Sequence, residues 1–144
     1  MKATRLMLLC EVRGLVVTRL DFEDTDGLSL DARILEAAGL VENEKVDVHV
    51  TSNGTRFACR VRASKTSGEL AVTGASSYLL KPGDTVALSS FGWMKEKTAL
   101  KHEPNVVVVG ADNALPEKVK KKDKLVELAK VEDVRDGGKK SKAS

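Results

Sequence analysis

Apolar and polar positions alternate with a period of two over most of the first 110 residues, which predicts short strands rather than helices. Within residues 6–22, Leu8, Cys10 and Val12 alternate with polar neighbours, and Leu15, Val16, Val17 and Thr18 are strand formers interrupted at Gly14 by a turn or bulge. Glu11 then shares a face with Leu9 and Arg13, opposite Leu8, Cys10 and Val12. An acidic stretch from Glu23 ends in Asp26-Gly27, a pair suited to a turn with positive φ. A short helix over 32–38 follows, capped by Ser29 or Asp31 and stopped at Gly39. Residues 45–51 and 57–62 both carry period-two patterns and flank Asn53-Gly54, which is a hairpin signal. Further strands are expected at 70–73, at 85–93 after the Pro82-Gly83-Asp84 turn, and in the unbroken run Val106-Val107-Val108-Val109, read as buried on both faces. Six or more short strands with one small helix argue for a closed or nearly closed β-barrel, because closure removes exposed edges.

The length of 144 residues allows one core, and aromatic residues are only 3% of the chain, so that core must be aliphatic. The same scarcity argues against nucleic-acid binding on stacked aromatic faces. No apolar run is long enough to span a bilayer, and Glu11 and Arg13 interrupt the N-terminal apolar stretch where a signal peptide would stay apolar, so a cytoplasmic protein is expected. Two cysteines and two histidines are too few and too dispersed for a metal site. Residues 115–144 hold ten Lys and Arg against six Asp and Glu, whereas the rest holds 14 against 15. The division is therefore a barrel domain over 1–114 and a Lys-rich, partly helical or disordered tail over 115–144.

Several motifs coincide with those of one family. Leu35-Glu36-Ala37-Ala38-Gly39-Leu40, Glu42-Asn43-Glu44, Asn53-Gly54 with Arg56-Phe57, Gly74-Ala75, Gly83-Asp84, Ser90-Phe91, Pro104-Asn105-Val106 and Asp112-Asn113 make the chain similar to the pyruvoyl-dependent aspartate 1-decarboxylases. The resemblance runs from about residue 7 to residue 113 and needs no gap over 18–31. It implies a double-psi β-barrel assembled as a homotetramer, with sites between neighbouring subunits. It also implies self-cleavage at a Gly-Ser bond, the serine becoming a pyruvoyl group that serves as an electron sink.

In that alignment the Gly and Ser fall on Asp26 and Gly27, and Gly27 has no hydroxyl to attack the preceding carbonyl. No pyruvoyl cofactor is therefore expected. The family's N-terminal active-site lysine falls on Glu11, the tyrosine before the cleaved bond on Asp24, the hairpin tyrosine on Arg60, and the substrate-holding asparagine before Gly74-Ala75 on Thr73. Arg56 is kept, and its planar fork could hold a carboxylate bidentately.

The resulting expectation is an uncut chain whose substrate-binding residues are Arg56, Arg60, Thr73, Gly74 and Ala75. Glu11, Asp26 and Asp24 are the candidate acids or bases, their pKa values raised if they are crowded and half-buried. That set serves a cofactor-free lyase, cyclase or isomerase acting on an anionic small molecule. A non-catalytic binding or regulatory subunit and a residual aspartate decarboxylase remain open beside it. Cys59 as a nucleophile is a minor alternative to a buried, inert thiol.

Overall fold

A computed structural model of the chain describes residues 3–116, and the tail expectation for 117–144 lies outside these residues. The first strand, β1, is Thr4–Val16, and β2 is Arg19–Asp21. After them come β3 (Gly27–Asp31), the helix α1 (Ala32–Ala38), β4 (Lys45–Val50), β5 (Arg56–Ser64) and β6 (Leu70–Thr73). A 3-10 turn at Gly74–Leu79 leads to β7 (Thr85–Lys95), the one-turn helix α2 (Glu96–Ala99) and β8 (Asn105–Val108).

The eight strands form one sheet in the order β2-β6-β3-β5-β4-β7-β1-β8. The chain itself links the two end regions of this ribbon. Only Val17 and Thr18 separate β1, near one end of the order, from β2 at the other, and the Thr18 N–H donates to the Leu70 carbonyl at 2.9 Å as the strand crosses over. The result is the mainly β, barrel-like fold that the resemblance implied. The pairings of β1 with β8, β2 with β6 and β3 with β5 are parallel, and the other four are antiparallel.

The core is aliphatic, as expected. Val12, Leu28, Leu30, Val48, Val61 and Leu88 are essentially inaccessible, each contributing about 1.5–3 kcal/mol by removal from water. The Asp31 carboxylate caps α1 by accepting the Arg33 N–H at 2.9 Å, and Gly39 ends it with a left-handed φ of 78°. Ser29, the other cap considered, lies inside β3. The Asn113 side chain bonds both the N–H and the carbonyl of Val16, tying the end of the described chain to β1.

Two expectations are corrected. The valine run is not buried on both faces: Val106 is 41% and Val108 52% exposed, because β8 is an edge strand whose alternate residues face outward. Leu9 does not share an open face with Glu11 and Arg13. Beside a register shift between Leu8 and Cys10, it packs in a small cluster with Met94 and Ala99, where it is 2% exposed.

Candidate functional site

The residues 22–26 leave β2 and return at β3, and both strands pair with the same residue. Asp21 lies opposite Thr73 in the parallel β2–β6 pair, and Gly27 lies opposite Thr73 in the antiparallel β3–β6 pair. The end of β6 therefore stands between the two ends of the loop. The Thr73 hydroxyl donates to the Thr25 carbonyl and also faces the Gly27 carbonyl at 3.2 Å, while it accepts a bond of 3.0 Å from Arg62 Nη2.

The next residue packs flat against the loop. Gly74 has φ +68°, and a Cβ on it would stand 2.5 Å from the Asp26 nitrogen and Cα, so only glycine fits. Two residues later the Ser76 N–H donates to Asp26 Oδ1 at 2.7 Å. On the other side Arg60 donates to Thr25 Oγ1 at 3.0 Å and to Asn43 Oδ1 at 2.9 Å. Arg62 Nη2 stands 3.5 Å from Asp24 Oδ2, and Arg62 Nε is buried without a partner.

These contacts bring together Asp24, Asp26, Arg60, Thr73 and Gly74, with Ala75 exposed beside them in the 3-10 turn. Asp24 is not the raised carboxyl expected. It is exposed, and the Thr25 N–H, with help from the Arg62 guanidinium and against some desolvation, holds it below the ordinary carboxylate value. It is ionised at neutral pH and cannot serve as a resting general acid. Cys59 is buried, and burial, with the Asp26 charge as second cause, pushes its thiol up to about 12, which leaves it inert at neutral pH.

Glu11 and Arg56 lie elsewhere on the wall. Cys10 and Val12 face the core, so Glu11 faces outward, half-buried, accepting a hydrogen bond from Arg13 Nε. The register sets Glu11 opposite Ser89, Ser89 opposite Asp47, and Asp47 opposite Ala58. Three inter-strand spacings put Glu11 about 14 Å from β5, where Ala58 lies midway between Arg56 and Arg60 on the outer face. Arg56 is exposed opposite His49. The row from Glu11 to Arg56 passes over Ser89, which is only 3% exposed, and half-buried Asp47.

The sequence reading missed Arg62, Thr25, Asn43 and Ser76. Arg62 had a signal: it lies two residues beyond Arg60 on a period-two strand and hence on the same face. Ser76 had none, because it acts through its backbone N–H.

A mixed, barrel-like β-sheet with an arginine-braced loop between β2 and β3 is the class of protein that fold and site define. The model of a family described as aspartate decarboxylase matches residues 3–116. The chain is 37% identical over 112 residues to aspartate 1-decarboxylase 1 of Frankia casuarinae, covering 77% of this chain and 73% of that one. It is 34% identical over 112 residues to aspartate 1-decarboxylase of Clostridium beijerinckii, covering 77% and 90% respectively. The chain belongs to the aspartate decarboxylase family. Among the described residues no helix is long and apolar enough to cross a membrane.

Proposed function

We propose that this family member stays in one piece and carries out cofactor-free acid–base chemistry, as a lyase, cyclase or isomerase, on an anionic small molecule. Gly27 carries the reading. It occupies the position where the family's serine would become the pyruvoyl group, and it offers no hydroxyl. A Cβ there would also stand 2.8 Å from the Arg60 carbonyl oxygen, so the local backbone leaves no room for a side chain. The residues present do not fit a pyruvoyl group, and the proposed chemistry uses side chains alone.

In this reading Arg56, which forms no ion pair among the described residues, holds a carboxylate or developing enolate through its planar fork, a charge-assisted bond worth roughly 1.5–3 kcal/mol. Glu11 moves a proton, with Asp26 as the alternative group on the loop. Asp24, already ionised, acts as a base or balances charge. Assembly as a homotetramer would set the outward row of one copy against the loop of another and complete the site. The test is intact-mass spectrometry after prolonged warming, which should give one uncut mass. A product split within residues 24–29, or a borohydride-reducible carbonyl at a new N-terminus, overturns the proposal.

A second reading, a non-catalytic binding subunit, is favoured by the pairing of Glu11 with Arg13 and by its distance from β5. The names of the relatives favour a third, residual aspartate decarboxylation. Glu11→Gln separates the first two: loss of turnover by about 100-fold or more marks Glu11 as the proton carrier. Carbon dioxide release from aspartate by the uncut chain would establish the third.

A further inference from the structure

The chain has five aromatic residues, and two of them meet beside the loop. The Phe22 and Tyr78 rings lie with centroids 4.8 Å apart and planes tilted by 58°. Both are open to water, Phe22 at 48% and Tyr78 at 76% exposure. Neither is a loose surface ring. Phe22 follows directly on β2, and Tyr78 belongs to the 3-10 turn whose Ser76 N–H holds Asp26. Ser77 Oγ donates to the Gly74 carbonyl, and Ser76 and Ser77 are buried. The turn is thus anchored on its serine side, with Tyr78 turned outward.

Leu79, next to Tyr78 in the same turn, is also 44% exposed, and other exposed apolar side chains, Leu6, Phe91, Trp93, Val106 and Val108, lie on β1, β7 and β8. The surroundings of the rings are charged, with Glu23 and Asp24 exposed in the same loop, and an apolar seal between two protein surfaces would have to strip water from them. Across the loop, Arg60 reaches only neutral acceptors, Asn43 Oδ1 and Thr25 Oγ1, and among the described residues it forms no ion pair. An exposed aromatic pair and a guanidinium without an ion pair among the described residues therefore flank one loop.

We infer that the ligand of this site is a carboxylate with a flat, conjugated or aromatic body, which stacks on Tyr78 and Phe22 with its charge turned toward Arg60. The inference rests on the reading of the protein as a binder of small anions, moves the anchor for this ligand from Arg56 to Arg60, and adds the class of anion. Offset or edge-to-face contact with the rings rewards a planar body beyond the area it buries, and an aliphatic diacid gains nothing there.

The test compares 2-naphthoate with succinate, titrated into the full chain and followed by ligand-observed NMR. The wild type should bind 2-naphthoate about 10-fold more tightly or better. The double variant Phe22→Leu, Tyr78→Leu should lose that preference and bind succinate as before. If it fails to fold, Tyr78→Ser alone reads the same ratio at a site already in water. Equal binding of the two probes by the wild type, or a preference that survives loss of the rings, overturns the inference. So does a loss of assembly in light scattering with the preference intact, which would make the rings a subunit contact. If both probes bind equally and Arg56→Lys weakens both, the anion-binding reading stands and only the platform falls. If neither probe binds, both fall.

Discussion

The wall formed by β4, β5 and β7 and the loop of residues 22–26 are held in place by different physics. In the wall, Val46, Val48, Val50, Val61, Val86 and Leu88 are each no more than 1% exposed, and the strands carry continuous registers across one another. No single atom is decisive, since the stabilisation is spread over many apolar contacts. In the loop almost every contact is polar and rests on one atom: the Thr73 hydroxyl, the Ser76 N–H, and the guanidinium tips of Arg60 and Arg62. A barrel held in the first way keeps its shape while residues of the loop change. That is how a family member can retain the fold with Asp24, Asp26 and Gly27 where the resemblance places the tyrosine, glycine and serine of self-cleavage.

The contrast is open to measurement, and the largest effect belongs to the wall. Leu88 sits opposite Val12 on one side and Val48 on the other, and Leu88→Ala should lower the unfolding free energy by about 2–5 kcal/mol in urea titrations. A smaller loss would mean that the wall relaxes around cavities as loops do. Next comes Gly74→Ala. Its methyl would enter the space of Asp26 in a left-handed backbone conformation, for a combined loss of about 3 kcal/mol. Its damage should appear as faster amide exchange in residues 22–27 with β4 and β7 unaffected, and exchange that speeds up everywhere would show that loop and wall are one unit. Thr73→Val preserves shape but leaves the Thr25 carbonyl and an Arg62 donor without their partner, which should lower stability by about 1–3 kcal/mol. An unchanged midpoint would mean that water replaces the hydroxyl.

Local chemistry made the wall legible in the sequence. The alternation of Val46, Val48 and Val50 against Asp47 and His49, with Asn53-Gly54 beyond, specifies the β4–β5 hairpin through residues that lie close together in the chain. Asp31 and Gly39 announce both ends of α1 for the same reason. What was not legible depends on distant partners. Four successive valines read as doubly buried unless the strand is known to be an edge, and that is decided by the pairing of β8 with β1, some 90 residues away. Leu9 is covered rather than open because Met94 and Ala99, some 85–90 residues away, pack on it, which alternation within β1 alone does not reveal. At the site, Asp24, Asp26, Arg60 and Thr73 were named from the resemblance, and the structure gathers them. Glu11 and Arg56 were expected with them and stand apart, since the register of β1, β7, β4 and β5 separates them from the loop.

The smallest expected effect lies where the two kinds of support meet, at the start of α1. Burial alone would push the Asp31 carboxyl up. The hydrogen bonds from the Arg33 side chain, the Gly68 N–H at 2.8 Å and the Arg33 N–H outweigh it, so Asp31 lies below its ordinary value of 3.8. Glu69 behaves alike: burial pushes it up, and bonds from Arg19, Ser64 and Ser29 bring it below 4.5. Groups whose folded pKa is depressed bind fewer protons in the folded state than in the unfolded one. Their contribution is complete above the unfolded values and is lost as pH falls through them toward the folded values. Stability should therefore be flat from neutral pH down to about 5 and decline below about 4. Asp31→Asn keeps a capping oxygen but loses the charge that Arg33 and Gly68 answer, and should cost about 1 kcal/mol at pH 7. The deficit should begin to shrink as pH falls below 3.8 and vanish only below the lower value of the folded carboxyl, where the wild type takes up its proton. Urea midpoints for both proteins across that range measure it, and parallel acid limbs would mean that Asp31 holds α1 by shape rather than by charge.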